Sequence, residues 1–461
     1  QNSNISSYSM KYIISFLIII LSFQTYAQRW EHIYEEQYDF HSLFSCLRKT
    51  YDDGYLFYRK SNRFQYVLIK TDVNGSIIWS KRIFNEDDNY FYGTYIDVTE
   101  SGKIFIGGAV RCGEDNYCSH VICLDECGEM VWSKYFDLDV YNYAMHIWGN
   151  DDGSAVVHAR YAGLHDGAIP IERVQLIKLN TEGDIEWLNH ILPNYEYDYL
   201  NNVDFENVEK SDGGFLLTGR CYVSQTPNLL RLKGIIVETD QFGNEIFVDY
   251  YNHDYTDSIN GVLLYSKEYT DYYLTTGYEY LYDSTGDQRA AAIIGKVNKT
   301  NGEIIRHVCN SLDSTVRIDY GIQIIDCPLG LYHVKAIFNY GIQGGILQFD
   351  KLDNNLLPVD SIIDYWNTNV NDQCALFIDR DSNFLFSGWH RADSIDLYPL
   401  DAMAMKVKSD LTWDSLIIDT NIYDSLCPYP IDSGNVTYSA EPFLMVGMNE
   451  ENRITKKDLF G

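Results

Sequence analysis

Short apolar runs alternate with acidic, glycine-bearing turns along this chain, and one phrase keeps returning. It reads Leu68-Ile69-Lys70-Thr71-Asp72-Val73-Asn74-Gly75-Ser76-Ile77-Ile78-Trp79, then Ile122-Cys123-Leu124-Asp125-Glu126-Cys127-Gly128-Glu129-Met130-Val131-Trp132, then Ile177-Lys178-Leu179-Asn180-Thr181-Glu182-Gly183-Asp184-Ile185-Glu186-Trp187. Weaker copies run from Val237 to Phe247 and from Lys296 to Ile305, and worn ones survive at Gln348-Phe349-Asp350-Lys351 and Met405-Lys406-Val407, the last followed by Trp413. The clear Trp positions stand roughly 50 to 60 residues apart, the period of propeller blades when the segments are β-type.

Each period holds a second signal, an acidic or glycine turn followed by an alternating apolar strand. Examples are Asp52-Asp53-Gly54-Tyr55-Leu56-Phe57, Glu100-Ser101-Gly102-Lys103-Ile104-Phe105 and Ser211-Asp212-Gly213-Gly214-Phe215-Leu216. Glycine in such turns supplies a positive φ without a Cβ clash, and the Asp or Asn ahead of it can bond its own backbone to start the turn. The recurrent acidic residues are therefore expected to be structural. One period then contains four antiparallel strands, which is one blade. Counting the paired signals predicts an all-β β-propeller of seven four-stranded blades, with six or eight as the neighbouring counts. A further Trp strand stands at each end, Trp30-Glu31-His32-Ile33-Tyr34 and Trp413-Asp414-Ser415-Leu416-Ile417. Completing one blade with terminal strands would close the ring and remove its free edges. The propeller is expected over 29–423, and the aperiodic stretch 424–461 as a linker or disordered tail.

The N-terminal stretch has a different character. Met10-Lys11 precedes an apolar run, Tyr12 to Phe23, broken only by serines, and Thr25-Tyr26-Ala27 offers small residues ahead of Gln28. Residues 10–27 read as a secretory signal peptide, too short for a comfortable membrane span. The protein is therefore expected to be secreted or held on the outer cell surface, with no membrane span after cleavage.

Composition narrows the partners. The 39 Tyr and 8 Trp suit pleated, half-buried surfaces. A formal net charge of −31 argues against nucleic acid, whose phosphates need a basic face, and against electrostatic docking on anionic lipid. Ten cysteines all follow the cleavage site, where disulfides can persist. Cys112 and Cys118 flank a short polar loop, and a disulfide between them would close it. The spacing of Cys112, Cys118, Cys123 and Cys127 matches no zinc signature.

No GxSxG, HExxH, P-loop or dinucleotide fingerprint is present. The run Asp379-Arg380-Asp381-Ser382-Asn383 lacks the glycine and glutamate of an EF-hand, since Phe384 and His390 occupy those places. No catalytic residue, cofactor site or metal site is assigned, and no cofactor is expected. The regular register of Trp79, Trp132 and Trp187 points to packing between blades rather than to sugar stacking. His146 and His390 read as packed or rim residues. Loops of irregular composition on a rigid scaffold are the better binding candidates. These are 161–167, with Tyr161, His165 and Asp166, the segment 224–228, and the aromatic rim at Trp389 and His390.

The repeat, with Lys70, Asp72, Gly75, Trp79 and Lys81 in the first copy and Asp125, Gly128, Trp132 and Lys134 in the second, resembles the secreted propellers of Bacteroidota-type bacteria that use type IX secretion. The resemblance covers most of the chain and implies a C-terminal sorting domain for surface anchoring, whose Tyr-Pro-Asn-Pro-like opening does not occur here. The turn at Asn298-Lys299-Thr300-Asn301-Gly302 is also similar to that of quinoprotein dehydrogenase propellers, but the adjacent Cys-Cys pair of those enzymes is missing. The expected function is a non-enzymatic binding or adhesion scaffold for a protein or polysaccharide. The alternative is a propeller-type glycan hydrolase or lyase.

Overall fold

The structure is a computed structural model that describes residues 30–34, 43–60, 66–85, 91–111, 117–136, 141–165, 169–191, 200–211, 214–226, 229–250, 260–282, 288–300, 304–308, 316–328, 330–339, 345–365, 376–378, 384–391, 400–407, 435–438 and 441–442. The segment expected as a signal peptide, 10–27, and Trp413 lie outside these residues.

Every described element is a strand. After β1 (Trp30–Tyr34) come seven antiparallel groups. Blade one is β2 (Leu43–Lys49), β3 (Tyr55–Lys60), β4 (Tyr66–Thr71) and β5 (Ile77–Asn85). Blade two is β6 (Phe91–Val98), β7 (Ile104–Arg111), β8 (Tyr117–Leu124) and β9 (Met130–Phe136). Blade three is β10 (Tyr141–Gly149), β11 (Ala155–His165), β12 (Ile169–Leu179) and β13 (Ile185–Ile191). Blade four is β14 (Leu200–Ser211), β15 (Gly214–Thr226), β16 (Leu229–Asp240) and β17 (Glu245–Tyr250). Blade five is β18 (Asn260–Glu268), β19 (Tyr272–Tyr282), β20 (Gln288–Asn298) and β21 (Ile304–Val308). Blade six is β22 (Val316–Cys327), β23 (Gly330–Asn339), β24 (Gly345–Leu352) and β25 (Pro358–Tyr365). Blade seven has β26 (Leu376–Ile378), β27 (Phe384–Arg391) and β28 (Leu400–Val407). A single parallel bridge, Ala290 to Ile318, joins blades five and six into one continuous sheet.

The fourth strand of blade seven is β1. It pairs antiparallel with β28, placing Trp30 opposite Lys406. Trp79 stands opposite Lys70 and Trp187 opposite Lys178, so Trp30 takes the blade-seven place of the repeated tryptophan. β2 of blade one also touches β26, β27 and β28, and the ring is closed.

The segment expected as linker contributes two short strands. β29 (Asn435–Tyr438) runs parallel to β5, and β30 (Glu441–Pro442) runs parallel to β9, so the outer edges of blades one and two each gain a fifth strand.

The core lies in layers between neighbouring blades. One layer joins blades one and two through Leu56, Leu68, Trp79, Ile96, Ile106 and Ile122. The next joins blades two and three through Phe105, Trp132, Ala144 and Ile177. Later layers repeat this between blades three and four and between five and six. The middle strands are covered on both faces, which is why β4 is buried at every position.

The recurrent phrase builds the turn between the third and fourth strands. One carboxylate oxygen of Asp125 accepts the backbone N–H groups of Cys127 and Glu129, at 3.0 and 2.8 Å. Asp72, Asp240 and Asp353 do the same in their blades, and in blade three the Asn180 carboxamide oxygen accepts the N–H groups of Glu182 and Asp184. The glycine follows with positive φ, and a register shift comes after it, the signature of a bulged hairpin. The acidic residues are turn formers, as the sequence implied.

That same glycine receives the tryptophan of the preceding blade. A Cβ on Gly128 would stand 3.1 Å from the Trp79 ring, and one on Gly183 would stand 2.8 Å from Trp132. Two residues beyond each tryptophan a polar side chain crosses to the residue after the glycine. Lys81 pairs with Glu129, Lys134 with Asp184 at 3.6 Å, and Asn189 bonds Asn244 at 3.0 Å. Tryptophan, glycine and crossing pair form one latch, repeated from blade to blade.

Candidate functional site

The strand directions give the ring two unlike faces. Turns between first and second strands, and between third and fourth strands, all emerge on one face. Those among the described residues are short and closed by backbone hydrogen bonds, such as that from the Gly128 N–H to the Asp125 carbonyl at 2.9 Å, with Asp and Asn side chains accepting further turn amides. The other face carries the connections between second and third strands and those leading to the next blade.

On that second face the hairpins differ in height. β3 and β4 have 6 residues each, whereas β11 and β12 have 11 each, β15 and β16 have 13 and 12, and β19 and β20 have 11 each. Blades three to five therefore raise paired strands above the ring. The segment expected as a binding loop at 161–167 belongs largely to this ladder. Tyr161 is opposite Arg173 and His165 opposite Ile169 within the β11–β12 pairing, while Asp166 lies outside the described residues. Ser224 to Thr226 likewise belong to β15 rather than to a loop. Trp389 and His390 lie near the end of β27, opposite Ala402 and Asp401, on the same face. The ring puts these two groups in blades three and seven, so it does not bring them together.

The inner strands carry polar groups that sequence periodicity did not single out. The Arg48 guanidinium of blade one lies 4.2 Å from the Tyr95 ring of blade two. That ring is 4.4 Å from His146 of blade three, and His146 is 5.6 Å from His158. His158 in turn meets the edge of Phe205 in blade four. Arg48 also faces Asp97, whose carboxylate accepts the Gly149 N–H at 2.8 Å. Burial pulls His158 down to about 3, with Arg160 adding to the effect, so the imidazole is neutral in the folded protein. His146 is packed, as the sequence reading held.

A second group sits between blades five and six. Lys335 pairs with Asp350 at 2.8 Å, with both side chains almost fully enclosed. The carboxylate of Asp350 also accepts from Gln348 and Ser361, each at 2.6 Å. Burial works against its charge, but Lys335 and these hydrogen bonds keep Asp350 below the usual carboxylate range. The His333 Nε2 and the Thr276 hydroxyl, on β23 and β19, are 2.7 Å apart. Asp319 on β22 is fully buried, and neither of its oxygens meets a hydrogen-bond donor among the described residues. Burial, reinforced by Asp350 and opposed by Lys335, pushes it up to about 7. These groups are enclosed between blades, and among the described residues no cluster of three or more His, Cys, Asp or Glu has metal-holding geometry.

Cysteine chemistry splits by position. Cys46, Cys123, Cys221 and Cys327 are free thiols, and burial pushes Cys123 and Cys221 up to about 12, which leaves them unreactive. Cys118 and Cys127 are disulfide-bonded. Cys112, the expected partner of Cys118, lies outside the described residues. Among the described residues no helix is long and apolar enough to cross a membrane.

No protein-family profile matches the chain, and no curated protein matches it. Solved structures similar in outline include a polysaccharide lyase, 9% identical, covering 82% of this chain and 93% of that one at a TM-score of 0.43. Synechocystis apocarotenoid oxygenase is 11% identical over 68% of this chain and 69% of its own, at 0.39. A protein of unknown function from Dyadobacter fermentans is 10% identical over 68% and 94%, also at 0.39. The seven-bladed architecture rests on the strand pairings themselves.

Proposed function

We propose that this chain is an exported, non-enzymatic propeller that binds a protein or a polysaccharide through the face where the hairpins of blades three, four and five project. The observation that carries this reading is the difference between the two faces. One is closed by near-identical turns, while the other is raised on three neighbouring blades into paired strands that a ring alone does not need. Variable projections on a rigid scaffold are where binding is placed in repeat folds. The strongly shifted His158, His333 and Asp319 are enclosed between blades, away from any surface a polymer could reach, which favours recognition over catalysis. Disulfides at Cys118 and Cys127 fit an oxidising compartment, in keeping with the signal segment and with a secreted or surface-held protein. Export by the type IX route, with anchoring through a C-terminal sorting domain, is part of the same proposal and rests on the repeat resemblance.

The test is a glycan and protein array read with the intact chain and with a variant in which residues 163–171 are replaced by Asn-Gly, joining Ala162 directly to Glu172 in a two-residue turn. The expected result is a ligand bound by the intact chain and lost in the variant, with unfolding unchanged. Binding that survives shortening of the hairpins of blades three, four and five overturns the assignment of this face. New chain ends released from an arrayed glycan would make the protein a hydrolase or lyase instead.

A further inference from the structure

We infer that three tyrosines at the joint of blades five and six, Tyr278, Tyr280 and Tyr320, form a subsite for a neutral sugar unit on the raised face. The inference rests on the reading of that face given above and narrows its ligand to an uncharged polysaccharide.

Strand register sets the height of the three rings. Thr276 stands opposite Tyr265 just past the bulge of β18, as Tyr58 stands opposite Cys46 past that of β2. From there β3 runs two residues on, to Lys60, whereas β19 runs six, to Tyr282. Tyr278 is thus level with the top of the low hairpin, and Tyr280 lies above it. Tyr320 comes from the raised-face end of β22. The backbone bridge between Ala290 and Ile318 ties the two blades together at this point. Ala290 is opposite Tyr280 on the hairpin, and Ile318 is two residues from Tyr320, so the bridge holds the rings in place.

Tyr278 is the buried centre of the group. Its ring meets that of Tyr320 at 4.5 Å, tilted by 59°, and that of Tyr280 at 5.3 Å in an edge-on arrangement of 81°. Val262 and Ala290 pack beside it, while Tyr280 and Tyr320 are half-buried and keep part of their surface in the open. Burial, and after it the hydrogen bond to Tyr280, hold the Tyr278 hydroxyl protonated above the ordinary phenol range.

This chemistry suits a neutral sugar. The rings offer π faces to the C–H faces of a pyranose, and the hydroxyls can bond its rim. Trp79 and Trp132 cannot serve, because the blade interfaces enclose them. A protein partner would seek an apolar core. The exposed large apolar side chains among the described residues are Ile77, Val131, Phe242, Ile246, Leu357 and Val359. All lie in or just beyond turns between third and fourth strands, on the opposite face. A polyanion is disfavoured by the net charge of −31.

The full chain and its variants would be tested on neutral cello-, laminari-, manno- and xylo-oligosaccharides, arrayed beside uronate-bearing glycans, sulfated glycans and proteins. The expected result is a neutral glycan bound by the intact chain and about tenfold or more weaker in Tyr280→Ala and in Tyr320→Ala. Tyr280→Phe and Tyr320→Phe keep the rings and their packing, and loss of these hydroxyls should weaken binding severalfold with Tm unchanged. Where an alanine variant loses its fold, its phenylalanine counterpart decides the point. Neutral-glycan binding that is lost on shortening the hairpins yet unmoved in the tyrosine variants overturns the subsite and leaves the raised-face reading standing. A ligand found only among acidic glycans or proteins does the same. Binding to nothing on the array overturns both.

Discussion

The ring of Trp132 and the α-carbon of Gly183 share one contact across two blades. A Cβ at position 183 would stand 2.8 Å from the indole, and the backbone there has φ at +82°. The indole N–H also donates to the Thr181 carbonyl at 3.0 Å, so the tryptophan is fixed by the turn it supports.

Because both residues serve one contact, their substitutions should not add. Trp132→Ala opens a cavity at the blade interface and is expected to destabilise by about 3–5 kcal/mol. Gly183→Ala meets both the clash and the left-handed backbone, with an expected loss of about 2–3 kcal/mol. In the double variant the clash is gone, leaving only the strain of the backbone at 183. A denaturant double-mutant cycle should return a coupling of about 1 kcal/mol or more, and strict additivity would separate the two residues.

Ring closure depends on β1. Deleting the chain through Tyr34 removes the fourth strand of blade seven and exposes the edge of β28. The expected result is a clear fall in Tm by calorimetry, together with concentration-dependent association through the unpaired edge. A truncated chain with native Tm would mean that another strand closes the ring.

Asp319 sets a pH dependence whose sign follows from its folded value of about 7 against an ordinary 3.8. Between roughly pH 4 and 7 the unfolded chain has lost this proton while the folded chain keeps it. Stability therefore falls as pH rises through that window and levels off above it, by at most about 4 kcal/mol. Asp350, held low, acts in the opposite sense and is lost only as pH drops below the usual carboxylate range. Asp319→Asn should flatten the slope above pH 4 and raise stability at pH 8, as urea titrations across pH would show. An unchanged slope would exclude Asp319 as its source.

Leu356 occupies the latch position where most other blades carry glycine, with φ at +64°. The sequence accounts for it from the other side of the interface, because the position equivalent to Trp132 in blade five, opposite Lys296, is Ile305 rather than a tryptophan. Leu356 instead packs with Leu274, Ala292, Ile294 and Ile324. Leu356→Gly relieves about 1 kcal/mol of backbone strain but gives up about 2–4 kcal/mol of leucine burial. The net expectation is destabilisation of about 1–3 kcal/mol, measured by chemical unfolding. A stabilised variant would show that strain outweighs packing there.

The blade count was legible because the third-to-fourth-strand turns of blades one to four and six share one chemistry, an Asp or Asn bonding forward and a residue that accepts positive φ. The packing role of Trp79, Trp132 and Trp187 was legible because register repeated with the turn. Strand alternation was blurred, since middle strands such as β4 are buried on both faces. The tall hairpins were misread as loops for a related reason. Ala162 and Gly163 interrupt the apolar pattern, and only the ladder partners Ile171 and Glu172 on β12 keep them extended. Gly54 shows a finer limit. The positive φ of that turn falls on Asp53, and Gly54 is required because a Cβ would sit 2.2 Å from the Thr71 carbonyl oxygen. The Arg48–Tyr95–His146 line and buried Asp319 were not legible at all, since each depends on blades meeting across long stretches of chain.

The pairing of Trp30 with Lys406 also fixes an order of events. The two residues are about 375 positions apart, a loop whose closure entropy no local contact repays. The first strand to be made waits unpaired until β28 exists. Blades one to six can collapse on local hairpins, but the cooperative unit is complete only at the last step. Folding should therefore show fast hairpin formation followed by one slow closure phase, and any chain interrupted before position 400 carries two open edges at once.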